Sequence, residues 1–377
     1  VQTINNNRRS FLKGSALATA SLALTQMPAF ASGFSQKVTA ISLDTCKKMS
    51  AVDMAFESQM VLASKQYLTD QINSINDWSI RNLVTDIYRQ PTPMVLEQLD
   101  NDNRTAVWKE LLAKNYSNSD LDHFLPNQPV KQADYHAFYS APGSGYGSHH
   151  SYPGGLATHL AANVHITNGI VNTYQETYNY KVDRDIAVAA QLLHDLHKPL
   201  VFPWLKDHSC RKENTLADTG EHHVLSIAEL IARNMPAELV VATACAHQAP
   251  MTLAHQQQIA KWLDAAAIIN GIDPVRYGLL TKQQGQLRLN EIAQQEGFIC
   301  HIGDHDYVLS VPAVQQTLPV LRKIAHEQYA IADDDHSAFN ALRNRIYSLY
   351  SAMQIHAEFS NHGEDRIKAM MLAAVQP

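Results

Sequence analysis

The chain is poor in cysteine. Its four cysteines, Cys46, Cys210, Cys245 and Cys300, include no Cys-x-x-Cys pair, which argues against a thiolate zinc site. Four cysteines allow three disulfide pairings, and the spacing does not choose among them. Beyond the first thirty residues there is no apolar run of the roughly 20 residues that cross a bilayer, so no stable membrane span is expected. There is no basic run either. Thirty Lys and Arg against 36 Asp and Glu leave a net charge of −6, which argues against nucleic acid as the main partner. No internal repeat or low-complexity stretch follows the first thirty residues. A hydrophobic fraction of 45% at a length of 377 residues still suffices for a sizeable core.

The first thirty residues read as an address. Asn7-Arg8-Arg9-Ser10-Phe11-Leu12-Lys13 precedes a small, mildly apolar run from Gly14 to Leu24, and Ala29-Phe30-Ala31 offers small residues for cleavage. The paired arginines resemble a twin-arginine signal, a route that carries folded proteins. Residues 1–31 are therefore expected to be a signal peptide and the rest periplasmic or extracytoplasmic. Its removal takes away Arg8, Arg9 and Lys13 but no acid, leaving the mature chain at −9.

Periodicity divides what remains. Residues 45–148 carry apolar positions at helical spacing in Met54–Leu68 and Ile80–Tyr88, broken at Pro91, Pro93 and Pro126. Residues 141–155 are a loop rich in glycine and proline. Helical patterns follow at 156–174, 184–197, 222–234, 236–247 and 255–270. Gly297–Val311 alternates apolar and polar residues around Gly303-Asp304, which predicts a β-hairpin, and two helices at 314–329 and 338–359 follow it. The expected fold is all-α with a small β-hairpin near the C-terminus. The expected regions are 45–148, 149–270 and 271–377.

Eleven of the 19 histidines fall between His149 and His255, and their positions are ordered. His159 lies on one helical pattern and His194-Asp195 ends the next. His222-His223 begins a third, His247 ends a fourth, and Asp264 sits within a fifth. Each successive helix thus offers one potential ligand, as a metal site inside a helical bundle requires. Imidazole nitrogen and carboxylate oxygen suit divalent ions such as Fe, Mn, Zn or Ni without distinguishing them. Asp264, flanked by Trp262-Leu263 and Ala265-Ala266-Ala267, is costly to bury unless paired or metal-bound.

The series His159, His194-Asp195, His223, His247, Asp264 resembles the ligand set of the HD-domain superfamily of metal-dependent phosphohydrolases. Tyr152-Pro153-Gly154-Gly155-Leu156-Ala157-Thr158-His159 is similar to the Tyr-x-Gly-Gly-Leu-x-x-His segment of several of its branches, and His194-Asp195-Leu196-His197-Lys198 to its His-Asp-x-x-Lys. The resemblance covers residues 149–270. It implies an HD-domain-like helical bundle around one or two divalent ions, with His194 and Asp195 as ligands and Asp195 bridging if two ions bind. His159 and Asp264 would hold one ion, and His223 and His247 the other. Placing the ligand at His223 sets Ala228-Glu229-Leu230 where the family often has a small residue, Glu and an aliphatic. His222 then becomes a substrate contact.

The implied reaction is hydrolysis of a small anionic phosphoester, with Asp195 and Lys198 as catalytic residues. Lys198, Lys206, Arg211, Tyr152, His150 and His222 are the candidate substrate contacts. The same residues also resemble the myo-inositol oxygenase branch, which would imply a mixed-valent di-iron oxygenase. A non-catalytic metal- or ligand-binding module is the third alternative. The oligomeric state is left open.

Overall fold

Ser58, Asp77, Asp100, Asp183, Thr252 and Asp335 each stand one residue before a helix, and each side chain accepts a backbone N–H of the first turn. The computed structural model describes residues 38–126 and 135–377. The expected signal, residues 1–31, lies outside them, as do 127–134 of the N-terminal region. Among the described residues, twelve helices have eight residues or more. They are α1 (Gln59–Asn73), α2 (Trp78–Arg89), α3 (Asn101–Ala113), α4 (Gly155–Tyr178), α5 (Arg184–Leu193) and α6 (Glu221–Ala232). The others are α7 (Ala237–Ala244), α8 (Leu253–Ile269), α9 (Gln294–Gly303), α10 (Tyr307–Tyr329), α11 (His336–His362) and α12 (Glu364–Ala374). The fold is a predominantly helical bundle, and Thr39–Pro377 pack as one unit.

Helix α5 lies at its centre. Every residue from Ile186 to Leu193 is buried, the pattern of a helix surrounded by others rather than facing water. It packs against α4, α7 and α9, and α4 packs in turn against α1 and α9. Helix α6 is buried from Glu221 to Ile231 and pairs with α8, while α10 lies along α11. His194 caps the C-terminal end of α5, so its position follows from the packing of the most buried helix.

The β-hairpin is present but not where alternation placed it. Gly297–Val311 is helical: it covers most of α9, a 3-10 turn at Asp304–Asp306 and the start of α10. The apolar alternation there misled because Ile299, Cys300 and Gly303 form the buried face of a helix. The antiparallel hairpin instead pairs Leu280–Gln283 with Gln286–Leu289. Gln284 and Gly285 both take positive φ, as a two-residue type I′ turn needs, with Gln in place of the usual Asn or Asp. A two-residue parallel pair joins Ile41–Ser42 to Val375–Gln376.

Candidate metal centre

Four buried side chains, His159 from α4, His194 and Asp195 from the end of α5 and Asp304 from the end of α9, converge behind the end of α5. His159 projects from α4, and its Nε2 lies 3.1 Å from Asp195 Oδ2 and 3.1 Å from Asp304 Oδ1. His194 Nε2 stands 3.2 Å from the same two oxygens. His194 Nδ1 is 2.9 Å from the Gln191 carbonyl. A carbonyl only accepts, so Nδ1 carries a proton and Nε2 turns to the carboxylates. Asp195 continues into a second group with His222 and His247. His222 Nε2 is 3.4 Å from Asp195 Oδ1, and His247 Nε2 is 3.8 Å from Asp304 Oδ2. Glu213 Oε2 holds His222 Nδ1 at 2.6 Å, a carboxylate–imidazole pair that orients the other ring nitrogen inward.

The electrostatics of this pocket call for positive charge. Burial opposes ionisation of Asp195 and Asp304, but His194 and its neighbours outweigh it and hold both carboxyls well below their usual range. Burial likewise opposes a charge on His194, yet the two carboxylates push its pKa up to about 10. The Lys198 ammonium meets Asp195 Oδ2, but among the described residues Asp195 Oδ1 and His222 Nε2 have no hydrogen-bond partner. Buried oxygens and nitrogens left without such partners are costly, and a divalent ion would satisfy several at once. The donor set fits one.

Two expected ligands stand elsewhere. Asp264 is buried, but its Oδ2 accepts from Lys114 Nζ at 2.7 Å and Tyr116 OH at 2.8 Å. His223 Nε2 donates to the Ala244 carbonyl at 3.1 Å, and its ring stacks on His247 with centroids 4.1 Å apart. Burial and the neighbouring His222 lower its pKa to about 3. The histidine that meets Asp195 is therefore His222. The carboxylate that meets His159 and His194 is Asp304, 34 residues beyond the end of the 149–270 region. Glycine makes room for it: a Cβ on Gly303 would overlap Thr167 Oγ1 and Gln191 Oε1, so only glycine lets the end of α9 come this close. The available signal was the density of His and Asp in Cys300-His301-Ile302-Gly303-Asp304-His305-Asp306.

A cavity of about 350 Å³ opens onto the cluster, with Lys198, His222, His247 and Asp304 on one side and Ser144, Ser148, His149 and Tyr307 among its other walls. Lys198 Nζ lies 2.5 Å from Asp195 Oδ2 and 2.5 Å from the Gly143 carbonyl. Of the other expected substrate contacts only His222 lines this cavity. His150 is paired through Nε2 with Asp306, and Tyr152 OH is 2.8 Å from Thr158 Oγ1, and neither lines the cavity. Arg211 is paired with Glu221, and Lys206 lines a different cavity with His208. The Gly154-Gly155 step has a packing role: a Cβ on Gly155 would overlap the His150 carbonyl, so the loop folds directly onto the start of α4.

Residues 5–25 match the TAT (twin-arginine translocation) pathway signal sequence. The chain is exported. Over 104 residues it is 33% identical to the dihydroneopterin 2',3'-cyclic phosphate phosphodiesterase of Methanocaldococcus jannaschii, an alignment covering 26% of this chain and 39% of that protein. The exported chain thus spans well under half of the curated relative it matches. No solved structure matches it. Among the described residues no helix is long and apolar enough to cross a membrane.

Proposed function

We propose that this exported protein is a metal-dependent phosphohydrolase of the HD superfamily with a dinuclear centre. His159, His194, Asp195 and Asp304 would hold one ion. His222 and His247, with Asp195 shared, would hold the other. The observation that carries the reading is the pair of buried carboxylates, Asp195 and Asp304, with four imidazoles within 3.8 Å of one or the other, beside a cavity lined by a lysine. The stretch of identity to a cyclic phosphate phosphodiesterase supports the reaction class.

Bound here, divalent ions supply Lewis acidity and lower the pKa of water toward about 7. The chain's own groups do the rest. Glu213 keeps the His222 ring turned inward, and the Gln191 carbonyl does the same for His194. Lys198 presents the cation that meets a phosphoryl oxygen. Ser144, Ser148 and Tyr307 offer hydroxyls to the remainder of a small substrate.

Metal analysis of protein purified without chelator, together with turnover of bis(p-nitrophenyl) phosphate, tests the reading. Asp304→Ala and His222→Ala are expected to lose most bound metal and activity, whereas Asp264→Ala and His223→Ala retain metal. Full metal content in Asp304→Ala would overturn the assignment. Bound mixed-valent iron without phosphodiester turnover would favour the oxygenase alternative.

A further inference from the structure

Helix α11 buries a row of polar side chains where a core-facing helix would ordinarily be apolar. Asn340, Arg343, Asn344, Tyr347 and Ser348 recur at three- and four-residue spacing, and none is more than 3% exposed. All but Tyr347 hydrogen-bond irregular segments, Asn340 and Asn344 the 207–208 turn and Arg343 and Ser348 the loop that lines the metal pocket. Asn340 Nδ2 donates to the Asp207 carbonyl at 2.9 Å and Asn344 Nδ2 to that of His208 at 2.8 Å. Ser348 Oγ donates to the Pro153 carbonyl at 2.9 Å, and Tyr146 OH donates to Asn340 Oδ1. Arg343 reaches furthest. It donates to Ser151 Oγ, which itself donates to the Ser148 carbonyl at 2.8 Å. Its guanidinium also lies 4.8 Å from the Tyr146 ring and 5.3 Å from that of Tyr347.

Arg343 is an odd group to bury. Its hydrogen bonds go to neutral oxygens, and among the described residues Nε has no partner and no carboxylate pairs with the guanidinium. A buried guanidinium without a counter-charge is costly, and an apolar side chain of similar volume would pack at lower cost. What it gains is a fork on a segment that the His150–Asp306, Lys198–Gly143 and Ser348–Pro153 contacts also hold, but at other points. Residues 142–153 contain no helix or strand, and Gly147 and His150 both take positive φ. This loop supplies Ser144, Ser148 and His149 to the cavity wall.

We propose that Arg343 is a positioning residue: through Ser151 and Tyr146 it holds the 142–153 loop so that Ser148 and His149 face the metal pocket. Helix α11, far outside the segment that carries the His-Asp motif, thereby governs how the site grips its substrate. The proposal rests on this cavity being the substrate site.

The test compares metal-loaded full-length protein with Arg343→Lys and, in case the buried charge is needed for folding, with the milder Ser151→Ala. Hydrogen exchange is expected to quicken by about tenfold in 142–153, with α4 and α5 unchanged. On bis(p-nitrophenyl) phosphate, KM is expected to rise about tenfold with kcat within about twofold of the parent. Uniformly faster exchange across the helices would make Arg343 a general stabiliser and overturn the proposal. Unchanged exchange in 142–153 would overturn it as well. If the parent protein hydrolyses no phosphodiester, the functional reading fails, while the exchange pattern still decides whether Arg343 positions the loop.

Discussion

Pro93 precedes the short helix Met94–Glu97 and has no side-chain oxygen with which to cap it; Glu229, on α6, caps it from a distance. Its two oxygens accept from the Met94 and Val95 amides, each at 3.0 Å, and one also meets Arg233 Nε at 2.6 Å. Burial opposes the charge on Glu229, but His197, the Val95 amide and Arg233 prevail and push its pKa down from 4.5 to about 2. The folded value lies below the unfolded one, so the unfolded chain takes up the proton first as pH falls. The stabilisation is complete above about pH 5 and disappears toward pH 2, and it amounts to about 3 kcal/mol. Glu229→Gln should therefore be markedly less stable than the parent in urea at about pH 6, with the gap closing by about pH 2. An equal gap at both values would mean the charge contributes nothing. Single residues were legible in the sequence to the extent that their needs are local. A carboxylate among Trp262, Leu263 and three alanines had to be compensated, and Asp264 is. Nothing near it named Lys114 as the compensating group, because that pairing spans 150 positions of chain. Choosing between His222 and His223 similarly depended on the angle at which α6 starts, which the Glu213 contact sets.

Helices were the most legible elements. Apolar spacing places α4, α5, α6, α7 and α8 within a few residues of their observed bounds, because each buries a continuous stripe against neighbours. Where polar and apolar residues alternated over a short stretch, the two periods could not be told apart, and Gly297–Val311 was read as a hairpin. The real turn, Gln284-Gly285, lacks the Asn or Asp that usually marks one. The misread stretch matters more than its length suggests, since it carries Asp304. Gly303→Ala tests how closely α9 must approach. The added methyl has no room beside Thr167 and Gln191, so a loss of about 1–3 kcal/mol is expected. Because Asp304 is the next residue, metal content should fall along with the unfolding midpoint. A variant that kept both would show that α9 can shift without disturbing the cluster.

At the scale of the whole molecule, the cysteines stay apart. All four are buried and free, and burial pushes the Cys46 and Cys245 thiols up to about 12, so the reactive thiolate is scarce. Intact exported protein should take up no iodoacetamide under native conditions and four equivalents once unfolded. A disulfide found by mass spectrometry in the native protein would contradict this structure. A chain carried across the membrane already folded meets its oxidising destination with its sulfurs shielded. The parallel pairing of Ile41–Ser42 with Val375–Gln376 fits that order of events, since it closes only once both segments have been synthesised.

The same closure bears on how the centre acquires its contents. His159 and Asp304 are 145 positions apart and no more than 7% exposed, so the cluster exists only when α4 and α9 have come together, and it then opens outward through the cavity beside Lys198 and His247. An ion seated there would enter and leave by that cavity, or when those helices part. Where such exchange is slow, affinity rankings among first-row metals, which favour copper and zinc at equilibrium, would matter less than supply at the moment of folding. In a chain carried folded across a membrane, the choice of metal would then pass to the compartment in which α4 and α9 meet.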